Sequence, residues 1–68
     1  MNNVIKEVDL ESALGKAKKI SKNECNVIYV IKSFDEDCQD EMYYIDDNGL
    51  IRSWEELIAT FDNGIKTT

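Results

Sequence analysis

The sequence has no histidine and no proline, and only two of its 68 residues are cysteines. Histidine is the commonest metal ligand and the usual general base near neutral pH, and two thiolates by themselves do not complete a tetrahedral zinc site. A glycine-rich phosphate loop, a nucleophile elbow and a cysteine–histidine pair are also missing from the sequence. We therefore expect no enzymatic activity, no metal centre and no cofactor.

Long apolar segments are missing as well. The longest uninterrupted run, Val27 to Ile31, has five residues, whereas a helix that crosses a bilayer needs about 20. The N-terminus shows no basic segment followed by an apolar one, so we expect neither a secretory leader nor contact with a membrane. Cysteines in a protein without such a leader are typical of a reducing compartment, and we expect Cys25 and Cys38 to be free thiols in the cytoplasm.

Acidic residues outnumber basic ones, and charge is distributed unevenly along the chain. The formal net charge is −6, with 14 acidic against 8 basic residues. Residues 1–32 carry six lysines against four acids, whereas residues 33–68 carry two basic residues against ten acids. An acidic surface repels the phosphates of nucleic acids and attracts basic proteins. We therefore expect a basic protein surface as the partner and no direct binding of nucleic acid.

We expect one small domain over residues 1–68. Its first predicted element is a helix that begins after the N-cap Asp9 and ends near Asn23. Gly15 lies inside this helix, where it would allow close approach to a sheet. Residues 4–8 fit an edge strand or an extra helical turn, and we favour a helical or irregular segment because the apolar positions do not alternate cleanly. The apolar residues of the helix recur on one face: Leu10, Ala13, Leu14, Ala17 and Ile20.

The next predicted elements are strands. Residues 26–34 are rich in β-branched and aromatic residues, with apolar side chains on both faces. A strand of this kind is covered on both faces, so we predict that it is central in its sheet. A turn at residues 35–40 separates it from a second strand at residues 41–46. Asn48-Gly49 is typical of a type I′ hairpin turn and leads to a brief third strand at residues 50–52.

The last predicted element is a second helix. Ser53 and Glu56 have the spacing of a capping box, and Asn63-Gly64 would end the helix with Gly64 in the left-handed conformation. The residues that form its apolar stripe are Trp54, Leu57, Ile58 and Phe61. The sequence therefore predicts an α+β domain, in which a short three-stranded antiparallel meander has an N-terminal and a C-terminal helix in the order α-β-β-β-α.

Carboxylates cluster at both ends of the second predicted strand. General acid catalysis needs a buried carboxyl group with a raised pKa, and exposed turn residues do not meet that condition. Asp35, Asp37 and Gln39 alternate as calcium ligands do, but Asp40 stands where a calcium loop needs glycine and the closing glutamate is absent. We therefore expect weak attraction of cations and no specific calcium site.

The same region supplies the candidate partner-binding residues. Adjacent tyrosines on a strand point to opposite faces, so one of Tyr43 and Tyr44 is available to a partner. The predicted partner-binding residues are Asp35, Glu36, Asp37, Asp40, Glu41, Tyr43, Tyr44, Asp46, Asp47 and Glu55.

The stretches Tyr43 to Gly49 and Ser53 to Gly64, about a third of the chain, resemble small acidic bacteriophage or mobile-element proteins. Some anti-CRISPR inhibitors of RNA-guided nucleases have this style, a short sheet followed by a helix that ends in Phe-x-Asn-Gly. The resemblance lies in composition and layout and includes no catalytic motif. It implies a protein that blocks a nucleic-acid-binding protein or nuclease by presenting carboxylates where phosphates would lie.

Three hypotheses about function follow. In the first, the acidic half of a non-enzymatic protein, from Asp35 to Asp47 with Glu55 and Glu56, docks a basic surface. In the second, a small structural or regulatory protein forms a homodimer through the apolar sheet face, using Tyr and Ile side chains. In the third, the first helix contacts nucleic acid, although no aromatic residue is interleaved among its lysines. Those lysines are Lys16, Lys18, Lys19 and Lys22.

Overall fold

A computed structural model of the chain describes residues 5–67. Its elements are β1 (Ile5–Glu7), α1 (Leu10–Glu24), β2 (Val27–Asp35), β3 (Asp40–Asp46), β4 (Glu56–Asp62) and β5 (Ile65–Lys66). The strands form one antiparallel sheet in the spatial order β1-β3-β2-β4-β5. The broad α+β character is as predicted, but the order α-β-β-β-α is wrong, because the described residues contain one helix and five strands.

Helix α1 begins where the local signals place it. The Asp9 carboxylate accepts a hydrogen bond from the Ser12 backbone N–H (3.1 Å), which confirms Asp9 as the N-cap. The helix ends at Glu24, one residue beyond the predicted Asn23. Cys25 follows in the left-handed conformation, with a φ of 52°.

One face of the sheet packs against α1. Ala13 and Ala17 are fully buried there, and their small side chains allow the helix to lie close to the strands. The registers place Ile45 beside Ile5 on one side and beside Val30 on the other, so the core continues across β1, β3 and β2. Two strands lie on each side of β2, which confirms its predicted central position.

The other face of β2 is covered by residues 47–55, which we call the β3–β4 loop. Tyr29 and Ile31 point to this face, because side chains alternate along a strand and Val30 packs under α1. The backbone of Gly49 lies so close to Tyr29 that an added Cβ would be 3.0 Å from its ring. Ile31 is 4% exposed. Both apolar faces of β2 are therefore covered, one by the helix and one by a loop.

Residues 56–62 form strand β4, so the predicted C-terminal helix is wrong. β4 pairs with β2, and the register shifts between Val30 and Ile31. The shift leaves Ile58 as the extra residue of a β-bulge. The bulge interrupts the alternation of inward and outward side chains along β4. The spacing of its apolar residues therefore resembles the spacing on one face of a helix. Residues 56–62 pair with the edge of β2 that β3 leaves free, and this pairing outweighs their local preference for a helix.

The chain contains two Asn-Gly pairs, and the second one makes a hairpin. Asn63 and Gly64 have φ values of 52° and 84° and connect β4 with β5. Positive φ at both central residues is what a type I′ turn requires. Neither residue of Asn48-Gly49 has a positive φ. That predicted hairpin is therefore wrong, and residues 50–52, predicted as a third strand, belong to the β3–β4 loop.

Two further predictions near the N-terminus are wrong. Residues 5–7 form an edge strand paired with β3, and Ile5 packs against the core; Val4 lies outside the described residues. Gly15 has no atom within 4 Å of the position a Cβ would take, so it provides no close approach to the sheet.

Gly15→Ala is therefore expected to stabilise the protein by about 0.5–1 kcal/mol, because glycine in a helix interior carries that penalty relative to alanine. Gly64→Ala is the matched control and is expected to destabilise, since residue 64 has a φ of 84° and an added Cβ would lie 3.0 Å from the Cβ of Lys22. Urea denaturation of both variants measures the free energies of unfolding. Equal stability of Gly15→Ala and the unchanged protein would contradict the placement of Gly15.

Candidate functional site

An open groove lies beside the β3–β4 loop, on the side of the sheet that the helix does not cover. Its volume is about 1360 Å³. Ile31 and Tyr44 line it from the sheet, and Phe34 and Glu36 line it at the end of β2. The loop forms the opposite wall. Most of the lining is therefore supplied by one loop that packs over one strand face.

Exposed apolar side chains converge on this groove. Among the described residues, the exposed large hydrophobic residues are Val8, Phe34, Leu50, Ile51, Trp54 and Ile65. Four of these six line the groove. Leu50 is 77% exposed and Trp54 is 66% exposed, so each still has most of its surface available for burial. A contiguous apolar patch of this kind is typical of a contact surface for another molecule.

Carboxylates surround the apolar residues. The acidic residues that line the groove are Glu36, Asp46, Asp47 and Glu55. Arg52 is the one cationic residue among its described lining residues. The balance of four carboxylates and one guanidinium makes the electrostatic potential of the groove negative.

Glu55 is largely enclosed. Its side chain is 10% exposed, and it accepts a hydrogen bond from the Arg52 backbone N–H at 2.9 Å. This hydrogen bond lowers the pKa of Glu55 below its usual value, with a smaller contribution from the Ser33 hydroxyl. Glu55 is therefore ionised at neutral pH and presents a fixed negative charge in the groove.

The Arg52 side chain lies beside both Glu55 and Trp54. A guanidinium nitrogen is 3.7 Å from the Glu55 carboxylate, and the guanidinium carbon is 5.7 Å from the centre of the Trp54 ring. The second distance is within the range of a cation–π contact. The groove thus already holds one guanidinium between an aromatic face and a carboxylate.

Local hydrogen bonds shape the β3–β4 loop. The Asp46 carboxylate accepts from the Asn48 backbone N–H, and the Asn48 side-chain carbonyl accepts from the Leu50 backbone N–H, both at 3.1 Å. Such bonds between a side chain and the backbone two residues on are typical of successive Asx turns. The wall of the groove is therefore an ordered turn structure, which explains why this Asn-Gly pair makes no hairpin.

Asp35 was predicted to bind a partner, but its carboxylate is engaged within the chain. The side chain is 7% exposed and lies 2.5 Å from the Lys6 ammonium group. It also accepts a hydrogen bond from the Asp37 backbone N–H at 2.9 Å. The hydrogen bond from Lys6 lowers the pKa of Asp35 and raises that of Lys6. Asp35 therefore joins β1 to the β2–β3 hairpin.

The other acids of the β2–β3 hairpin are exposed and divide into two groups. Glu36 lines the groove. Asp37 and Asp40 lie in or beside the turn and are not among the groove residues. Glu41 is 3.5 Å from Lys32, with which it forms an ion pair. The predicted acidic surface is therefore split between the groove and the hairpin end.

The two adjacent tyrosines point to opposite faces, as predicted. Tyr43 is partly buried and packs against the core on the helix side. Tyr44 lines the groove, and partial burial raises the pKa of its hydroxyl, with a further contribution from Asp35.

Eight residues that line the groove are not among the predicted partner-binding residues: Ile31, Ser33, Phe34, Asn48, Leu50, Ile51, Arg52 and Trp54. Assigning residues 50–52 to a strand and Trp54 to a helix gave their apolar side chains a place in the core. The signal that could have revealed them is a run of large apolar residues directly after a turn-forming Asp-Asp-Asn-Gly segment.

Within residues 5–67, no group of three or more Cys, Asp or Glu side chains is arranged to hold a metal ion. Helix α1 is not long and apolar enough to cross a membrane. Cys25 and Cys38 are free and exposed.

The Lys6–Asp35 pair is expected to give the protein an acid-sensitive stability. Because the pKa of Asp35 is lowered on folding, its contribution is complete above the ordinary aspartate pKa of about 4 and is lost as the pH falls through the lower folded-state pKa. The contribution of Lys6, whose pKa is raised, is present below its ordinary pKa of about 10.4 and is lost as the pH rises through the folded-state pKa.

Urea denaturation of the unchanged protein and of Asp35→Asn, from neutral pH to about pH 2, measures this effect. The difference in free energy of unfolding should shrink below about pH 4. Lys6→Gln is the control, and its difference from the unchanged protein should shrink over the same range. A difference that does not depend on pH would contradict the pairing.

The chain was also compared with known proteins. No family model, curated protein sequence or solved structure shows a significant match. The sheet-then-helix layout that supported the resemblance to anti-CRISPR inhibitors is not present, because residues 56–62 are a strand. What remains of that resemblance is its acidic composition.

Proposed function

We propose that this protein is a non-enzymatic binding module whose groove docks a basic, partly apolar segment of another protein. The observation that carries the proposal is the convergence of four of the six exposed large hydrophobic residues within residues 5–67 on a groove with four carboxylates. Neither feature by itself specifies a partner. Together they favour a segment that carries cationic and apolar side chains in alternation or on one face.

The apolar residues supply the affinity in this proposal. Complete burial of a large apolar side chain is worth about 1.5–3 kcal/mol, and Leu50 and Trp54 are both largely exposed in the free protein. Tryptophan, tyrosine and arginine are the residues most often found at binding hot spots. The groove contains Trp54 and Tyr44.

The carboxylates supply selectivity and speed of association. A negative groove attracts cationic segments over long range, accelerates encounter and repels acidic proteins. Because the same charges repel phosphates, the proposal includes no direct contact with nucleic acid. A nucleic-acid-binding protein or nuclease is a natural partner, since its cationic surface is built to meet phosphates.

We also propose a cytoplasmic location. Support comes from Cys25 and Cys38, which are exposed and unpaired in the fold. Exposed free thiols are typical of proteins kept in a reducing compartment.

The homodimer hypothesis has less support. It requires an apolar sheet face that is free to meet a second copy, but Ile31 and Ile45 are buried within one chain. Three of the six large apolar residues that remain exposed among the described residues lie in the β3–β4 loop, next to carboxylates that would repel each other in a symmetric pair.

Neutralising groove carboxylates should weaken the binding of a cationic peptide. The variant Glu36→Gln with Asp47→Asn removes two exposed charges from the groove, and the probe is a short synthetic peptide in which lysine alternates with leucine. Exposed ion pairs are worth about 0.2–1 kcal/mol each, so the affinity should fall by about 2- to 30-fold. The dependence of affinity on salt concentration should also become less steep.

Fluorescence of Trp54, the single tryptophan of the chain, reports the binding. The matched control is Glu11→Gln with Glu24→Gln, which removes the same charge from α1 on the other side of the sheet. The control should bind almost as well as the unchanged protein. An equal loss in both variants would mean that net charge, and not the groove, governs binding.

Sedimentation equilibrium tests the homodimer hypothesis separately. We expect the mass of a single chain, 7.8 kDa, at both low and high salt, because the apolar sheet faces are covered within the chain. A tight dimer that does not dissociate with salt would contradict this expectation and favour the second hypothesis.

A further inference from the structure

Arg52 occupies the groove in a loose arrangement. Its side chain is 68% exposed, and its closest approach to the Glu55 carboxylate is 3.7 Å. That separation exceeds the 2.7–2.9 Å or so of a charge-assisted hydrogen bond. An exposed pair of this kind contributes little to stability. The guanidinium can therefore leave its position between Trp54 and Glu55 at small cost.

The position that Arg52 would vacate is well suited to another guanidinium. The Trp54 ring offers an aromatic face on which a planar cation can stack. The Glu55 carboxylate is ionised, its Oε1 accepts the hydrogen bond from the Arg52 backbone, and its Oε2 lies 3.7 Å from the Arg52 guanidinium. A lysine ammonium could use the charge of this site but not its planar geometry.

We propose that the groove recognises an arginine side chain of the partner, which replaces Arg52 between Trp54 and Glu55. This inference rests on the proposed function and names the side chain that the groove selects. Arg52 then acts as an internal competitor that occupies the site in the free protein. Its removal should strengthen the binding of arginine-containing segments, because the site no longer has to be emptied first.

The test uses two synthetic peptides and isothermal titration calorimetry. In one peptide arginine alternates with leucine, and in the other lysine takes the place of each arginine. The unchanged protein should bind the arginine peptide more tightly. Arg52→Gln should raise affinity for the arginine peptide by about two- to five-fold and affinity for the lysine peptide by less.

Two further variants separate displacement from general electrostatics. Lys32→Gln removes one positive charge outside the groove, where Lys32 pairs with Glu41, and should leave both affinities nearly unchanged. Trp54→Leu keeps an apolar side chain but removes the aromatic face, and should abolish the preference for arginine over lysine. The side chains of Arg52 and Trp54 are both exposed, so we expect Arg52→Gln and Trp54→Leu to fold like the unchanged protein.

The outcomes distinguish the two proposals. If the unchanged protein binds neither peptide, the proposed function and this inference both fail. If it binds both peptides but Arg52→Gln gains equally for each, or only as much as Lys32→Gln, arginine recognition fails and the basic-segment proposal stands. Weaker binding by Arg52→Gln also overturns the inference, because Arg52 would then contact the partner directly.

Discussion

The need to cover both faces of strand β2 governs this fold. The part of the chain that the structure describes has one helix, α1, which covers only the face that carries Ile28 and Val30. The other face, with Tyr29 and Ile31, must be covered by something else, and the β3–β4 loop packs over it. The loop approaches closely because Gly49 has no side chain to keep it away from the Tyr29 ring.

The groove is a consequence of covering a strand with a loop. A loop of nine residues has no second layer above it, so its own apolar residues stay exposed. Small domains bury only about 60% of the surface of the unfolded chain, and this one leaves Leu50 and Trp54 uncovered. The carboxylates beside them repel acidic proteins and further copies of the chain. The same carboxylates attract a cationic partner. The proposed binding site is therefore the part of the surface where apolar side chains remain exposed after folding.

Sequence reasoning succeeded where a signal is local and failed where two local signals compete. The N-cap Asp9 and the 3.6-residue period after it predict α1 without any tertiary contact. The segment from Ser53 to Phe61 has equally good helix signals, but it becomes a strand because β2 has an edge to fill. A bulge at Ile58 makes the two patterns nearly indistinguishable in the sequence. Because this segment was predicted to be a helix, Trp54 was placed on the apolar stripe of that helix, and the groove was not predicted.

The sequence by itself determined the excess of negative charge, the first helix and the two-faced central strand, because each depends on residue types and short-range periodicity. Only the tertiary structure decided which Asn-Gly pair turns the chain, since Asn63 and Gly64 join paired strands whereas Asn48 sits in a loop held by side-chain hydrogen bonds. It also decided that Asp35 pairs with Lys6, 29 positions away in the chain. Contacts over such separations depend on strand order, which no local pattern encodes.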